Sequence, residues 1–162
     1  MSSARELVRE VRIDALPEDV FPYFTVAEKM VAWKAVDAEL DARPGGEFRV
    51  DVTGDGDVAR GKFLEIDPPR RVVFTWGWER PDAAFGVGTT VVEVTLAPDG
   101  DGTLLRLVHR GLPERAEQRS AEGWEHYLQR LAVAASGRDP GRDPWAAPID
   151  QRMDRDTRPT EV

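Results

Sequence analysis

Side chains able to do chemistry are few in this chain of 162 residues. There is no cysteine, so the chain holds no disulfide, no thiolate nucleophile and no Cys-ligated zinc or iron–sulfur centre, which fits a reducing compartment. The two histidines, His109 and His126, are too few for an imidazole metal cage. The serines stand at positions 2, 3, 120 and 136, outside any Gly-x-Ser-x-Gly elbow, so an activated serine nucleophile has no setting. Asp51, Thr53, Asp55 and Gly56 imitate a calcium loop, but Thr takes its third position and Lys62 the twelfth, where Glu belongs. That segment reads as a hairpin turn. Gly86-Val87-Gly88 leads into a strand rather than a helix, which suits a flexible loop at a cavity mouth better than a phosphate cradle.

What remains is one histidine and a set of large rings. His109 has inward strand parity and would serve as acid, base or hydrogen-bond donor to a guest, or simply be satisfied by a neighbouring backbone carbonyl. Val72, Phe74, Trp76 and Trp78 share one strand face, so two tryptophans enter the same interior, where Trp33 and Trp124 can join them. Tyr127 lies one helical turn from Trp124 and reaches the edge of that interior. Such rings suit a flat apolar guest with a hydrogen-bonding edge; plain core packing explains them as well.

The elements that position these residues follow from periodicity. Leu7, Val11 and Ile13 alternate with polar residues as a first strand, and two short helices follow, Val20–Phe24 and Ala27–Trp33. Val36–Asp41 reads as a short strand. Phe48, Val50 and Val52 oppose Glu47, Arg49 and Asp51, and the turns Gly54-Asp55-Gly56 and Asp67-Pro68-Pro69-Arg70 divide strands at 46–53, 57–66 and 71–79. A further hairpin places Val92, Val94 and Leu96 on the inner face with Leu105, Leu107 and His109. Glu93, Arg49 and Arg106 point outward. From Pro113 to Ser136, the residues Trp124, Leu128, Leu131 and Ala135 form one helical stripe that only the sheet can bury.

Charge narrows the partners. Twenty-two basic against 30 acidic residues give −8, and 19 of the bases are arginines scattered among acids. The resulting field repels phosphate backbones and anionic head groups, so nucleic acid and membrane are not expected partners. The first ten residues carry charge and no apolar run, and the chain reads as cytoplasmic. Residues 1–137 read as one domain and 138–162 as a Pro/Arg/Asp-rich tail, an extended arm that Trp145 and Ile149 would staple to the domain or to a second subunit.

The segments WKAVDAELDARPGGEFRV, RGKFLEIDPPRRVVFTWGWE, TTVVEVTLAPDGDGTLLRLVHRGLP and EGWEHYLQRLA carry a resemblance. Over Leu7 to about Ala135 the chain resembles the START-like helix-grip superfamily, in the branch related to the C-terminal domain of the activator of heat-shock protein 90 ATPase. Pro44-Gly45-Gly46, Asp67-Pro68-Pro69-Arg70 before Phe74-Thr75-Trp76, and Gly123-Trp124 are typical of that branch. Ala32-Trp33 replaces a frequent Trp-Trp pair, and Ala35 a glycine. The resemblance implies an α+β fold, a curved antiparallel sheet gripping a long C-terminal helix, with an apolar cavity between them.

Three functions are open on this reading. The first is a module binding a small apolar or aromatic ligand through Trp33, Phe48, Phe74, Trp76, Trp78, His109, Trp124 and Tyr127, with no cofactor, metal or catalytic residue. The second is a chaperone-interacting protein, as the branch name implies. The third is an enzyme of the polyketide cyclase or aromatase kind, for which only His109, Tyr127 and the outward Arg49 or Arg106 offer polar chemistry. A homodimer through a sheet edge or the tail is a further expectation.

Overall fold

The computed structural model describes residues 6–147. In chain order these form β1 (Glu6–Ile13), α1 (Pro17–Val20), a 3-10 turn (Phe21–Phe24), α2 (Ala27–Val31), β2 (Asp37–Leu40) and β3 (Glu47–Asp51). There follow β4 (Val58–Asp67), β5 (Arg71–Trp76), β6 (Thr90–Asp99), β7 (Gly102–Arg110) and α3 (Glu114–Ala135). The strands make one seven-stranded sheet ordered β1-β7-β6-β5-β4-β3-β2, with every neighbouring pair antiparallel. This is the α+β helix-grip fold, in which the curved sheet wraps the long helix.

Alternation decides which residues the sheet buries. Phe48 and Val50 on β3, Val72, Phe74 and Trp76 on β5, Val92, Val94 and Leu96 on β6, and Leu105 and Leu107 on β7 are all buried. The stripe Trp124, Leu128 and Leu131 of α3 meets them, as any amphipathic helix must if its apolar face is to leave water. A register shift between Phe63 and Glu65 interrupts the β4–β5 ladder, a break of the kind that bends a sheet. The Pro44-Gly45-Gly46 turn leaves no room for a side chain at its last position, because a Cβ on Gly46 would lie 2.0 Å from the Asp41 carbonyl oxygen.

Outside the core, β-strand parity sets up ion pairs on the wet face. Arg71 and Arg110 both engage Glu93, and Arg49 donates to Glu79 at 3.0 Å. Burial pushes the Glu93 carboxyl up, but the two guanidinium groups outweigh it and hold the carboxyl below its ordinary range.

Of the elements that are shorter than their periodicity predicts, two bear on the site. The strand expected over 71–79 ends at Trp76, and Trp78 continues only as single bridges to Ala59 and Gly86. The cause is the following loop, which doubles back so closely that a Cβ on Gly77 would stand 1.7 Å from the Gly86 carbonyl oxygen. This loop was expected to be flexible, yet the Trp78 N–H donates to the Phe85 carbonyl, the Gly88 N–H to the Arg60 carbonyl, and Phe85 is buried. The helix expected over Ala27–Trp33 stops at Val31; Trp33 and Lys34 N–H groups both close on the Met30 carbonyl. Among the described residues no helix is long and apolar enough to cross a membrane.

Candidate functional site

Large rings fill the concave side of the sheet. Phe48 stacks on Phe74 with centroids 4.1 Å apart, and Trp76 meets Phe48, Phe74, Trp78 and Trp124 at 5.5–6.2 Å. Two buried basic side chains, His109 and Lys34, sit among these rings, and their surroundings differ.

His109 ends the inner face of β7 and is fully buried. The Trp124 indole N–H donates to its Nδ1 at 3.0 Å, which places the ring proton on Nε2. Nε2–H then donates to Thr90 Oγ1 at 2.8 Å, and that hydroxyl donates to the Trp76 carbonyl oxygen at 2.5 Å. Each donor has one acceptor, and the chain of bonds ends on the backbone. Burial, with the nearby charge of Lys34, lowers the imidazole pKa to about 3, so the ring is neutral at ordinary pH. The carbonyl expected to satisfy His109 is thus replaced by an indole and a hydroxyl, and neither ring nitrogen is free.

Lys34 was missed. It follows α2 and is 5% exposed, carried inward because its backbone closes the turn on Met30 while its neighbour Trp33 anchors through its indole N–H to the Tyr23 carbonyl at 3.1 Å. Its Nζ lies 4.2 Å from the ring centroid of Tyr127, 4.5 Å from Trp124 and 4.9 Å from Trp76. Desolvation lowers its pKa to about 7, and the field of Asp143 works in the opposite direction. Three ring faces also favour the cation, a contact worth about 2 kcal/mol when desolvated. Among the described residues no carboxylate comes within ion-pair distance of Nζ.

The segment after α3 covers this region as a strap. Asp143 accepts from the Tyr127 hydroxyl at 2.7 Å, from the Trp145 N–H at 3.0 Å, and lies 2.7 Å from His126 Nε2. Burial pushes the Asp143 carboxyl up, but these hydrogen bonds prevail and hold it below its ordinary range. Burial and the same carboxylate push the Tyr127 phenol up, so Tyr127 remains a donor. Trp145 stacks on His126 at 3.8 Å, and the Ala147 N–H donates to the Thr53 carbonyl. Arg130 spends its guanidinium on backbone, donating to the carbonyls of Trp33, Pro140 and Gly141 at 2.9–3.4 Å. Trp145 therefore staples the arm to the domain itself; Ile149 lies outside the described residues.

Between the end of α2 and the strap lies a half-open cavity of about 200 Å³, bounded by Trp33, Ala35, Val52, Arg130, Asp143 and Ala146 among others. Of the eight side chains expected to line a pocket, Trp33 lines this one. Phe48, Phe74, Trp76 and Trp124 pack together in the interior, Trp78 is half-buried, Tyr127 is tied to Asp143, and His109 to Trp124 and Thr90. The expected calcium mimic is a turn: Asp51 accepts from the Gly54 N–H and Asp57 from the Thr53 hydroxyl. Among the described residues no group of three metal-ligating side chains occurs.

The family model described as activator of Hsp90 ATPase homolog 1-like protein matches residues 14–136. The chain belongs to this family. With its helix-grip fold, it is a member of the START-like superfamily. The human activator of 90 kDa heat shock protein ATPase homolog 1 is 30% identical over 112 residues, which are 68% of this chain and 31% of the human protein. The chain thus spans about a third of the curated relatives it matches. Among solved structures, the AHSA1-like protein of Rhizobium etli is 39% identical, covers 95% of this chain and 94% of its own, and superposes with a TM-score of 0.70. CalU16 of Micromonospora echinospora is 32% identical over 83% of this chain and 78% of its own, with a TM-score of 0.67.

The signal that could have exposed Lys34 was in the sequence. In a chain with 19 arginines and three lysines, one lysine sits inside Ala-Trp-Lys-Ala-Val, with no polar neighbour. Asp143 and Arg130 gave no such signal, since their partners are backbone groups and rings distant in sequence.

Proposed function

We propose that this protein binds a small apolar or aromatic ligand at the cavity between α2 and the strap. The observation that carries the reading is that cavity itself, walled by Trp33 and adjoining an aromatic interior that holds a buried ammonium group. Its volume of about 200 Å³ sets the scale. A dry engineered cavity of about 150 Å³ holds benzene, whereas drug-sized ligands occupy roughly 300–1,000 Å³. One ring with a short substituent fits; a larger guest requires the strap to lift. His109 leaves little for a cyclase-like reading, because both its nitrogens are engaged.

The test is native mass spectrometry of the full chain with thermal shift across a panel of single-ring and fused-ring compounds. A ligand at a hundredfold excess over its Kd stabilises by about 2.7 kcal/mol, a rise in Tm of roughly 5–10 °C for a domain of this size. Stoichiometric adducts with such a shift support the reading; absence of both across the panel overturns it.

Family membership and the alignment with about a third of the human ATPase activator motivate a second reading, in which the chain acts on a chaperone of the heat-shock protein 90 kind. Stimulation of that chaperone's ATPase by the purified chain is the expected result on this reading, and an unchanged rate at saturating chain would remove it.

A further inference from the structure

Lys34 is a buried cation whose contacts among the described residues are three ring faces, and Asp143 is both part of the cavity wall and the carboxylate whose field acts on it. Asp143 comes from the strap, and it is seated on a donor set, the Tyr127 hydroxyl, His126 Nε2 and the Trp145 N–H, of the kind that receives an acid. A charge buried without a counter-ion is costly, and a carboxylate brought in beside it gains most where water is excluded.

We propose that Lys34 and Tyr127 form the binding site for the acidic group of a flat aromatic ligand, and that Asp143, beyond ion-pair distance of Lys34, holds the Tyr127 hydroxyl until the ligand displaces the strap. This deepens the ligand-binding reading and rests on it. The aromatic frame of the guest lies against Trp33, while its anion pairs with the Lys34 ammonium and accepts from Tyr127. Lifting the strap breaks the Asp143 contacts and the Arg130 bonds to Pro140 and Gly141, so the guest exchanges one set of polar contacts for another.

The test uses two fluorescent probes with the same frame on the full chain: 8-anilinonaphthalene-1-sulfonate, which is anionic, and N-phenyl-1-naphthylamine, which is uncharged. The wild type is expected to bind the sulfonate about tenfold or more tightly than the amine. Lys34→Met should abolish that preference while leaving the uncharged probe within about twofold, since truncating one partner of a buried charge pair costs at least that much. Asp143→Asn, which leaves Lys34 in place, should tighten the sulfonate several-fold by removing the competing carboxylate. The uncharged probe reports any loosening of the fold common to both probes. Equal binding of the two probes, unmoved by either substitution, overturns the anion site and leaves the ligand-binding reading standing. Failure of both probes to bind the wild type overturns this inference, and the single-ring panel decides the ligand-binding reading separately.

Discussion

Two buried polar groups about one ring cluster follow opposite rules. At the β7 end, His109 is enclosed by a hydrogen-bond chain in which Trp124, Thr90 and the Trp76 carbonyl leave nothing unpaired. At the α2 end, Lys34 is also buried, yet its contacts among the described residues are ring faces, and the carboxylate whose field reaches it comes from the strap. A polar group that is satisfied within the core specifies the fold. One held only against ring faces costs stability, so the comparison gives His109 a structural role and, on the reading proposed above, leaves Lys34 for a ligand.

The largest effect should come from breaking the satisfied end. His109→Ala leaves a cavity and an indole N–H without its acceptor, and we expect a loss of about 3–4 kcal/mol in urea unfolding. At the other end the sign reverses. Lys34→Met replaces a buried cation by an apolar chain of similar length, and stability at pH 7 should rise by about 2–3 kcal/mol.

Titration sharpens the contrast. The unfolded chain protonates His109 near pH 6.5 while the folded chain resists to about 3, so this contribution is present above 6.5 and lost as pH falls through that window. Between pH 6.5 and 5 the loss should reach about 1–2 kcal/mol, and His109→Gln should remove it. Lys34 is protonated below about 7 in both states, but between about 7 and 10.5 the unfolded chain holds the proton more tightly. The penalty of the buried charge therefore fades as pH rises from 7 to 9. Wild type should gain roughly 1–2 kcal/mol over that interval and Lys34→Met none.

The smallest effect belongs to the strap. Trp145 is half exposed and stacks on His126, so Trp145→Ala should cost about 1 kcal/mol or less. Its signature is faster hydrogen exchange at the Ala147 N–H, which bonds to Thr53, with the amides of β6 and β7 unchanged.

These two ends were not equally legible in the sequence. Strand parity alone brings Phe48, Phe74, Trp76, Leu107 and His109 to one face, because a period of two leaves no other assignment once one face is buried. The helical stripe of Trp124, Leu128 and Leu131 follows in the same way. Lys34 sits in a turn, where no period operates and where charge argues for the surface. Asp143 and Arg130 act through a Pro-rich segment whose composition resembles an unattached arm, and composition says nothing about which carbonyls an arginine will reach. The fold was therefore readable where local pattern and burial agree, and the candidate site was hidden where tertiary contacts override both.

The most direct test of the central claim is the pKa of Lys34 itself, read by NMR from the side-chain nitrogens of a chain labelled at its three lysines, Lys29, Lys34 and Lys62. One of the three should titrate near 7 and vanish in Lys34→Met. No lysine nitrogen titrating near 7 would show that the Lys34 ammonium is solvated or paired, and would contradict the account.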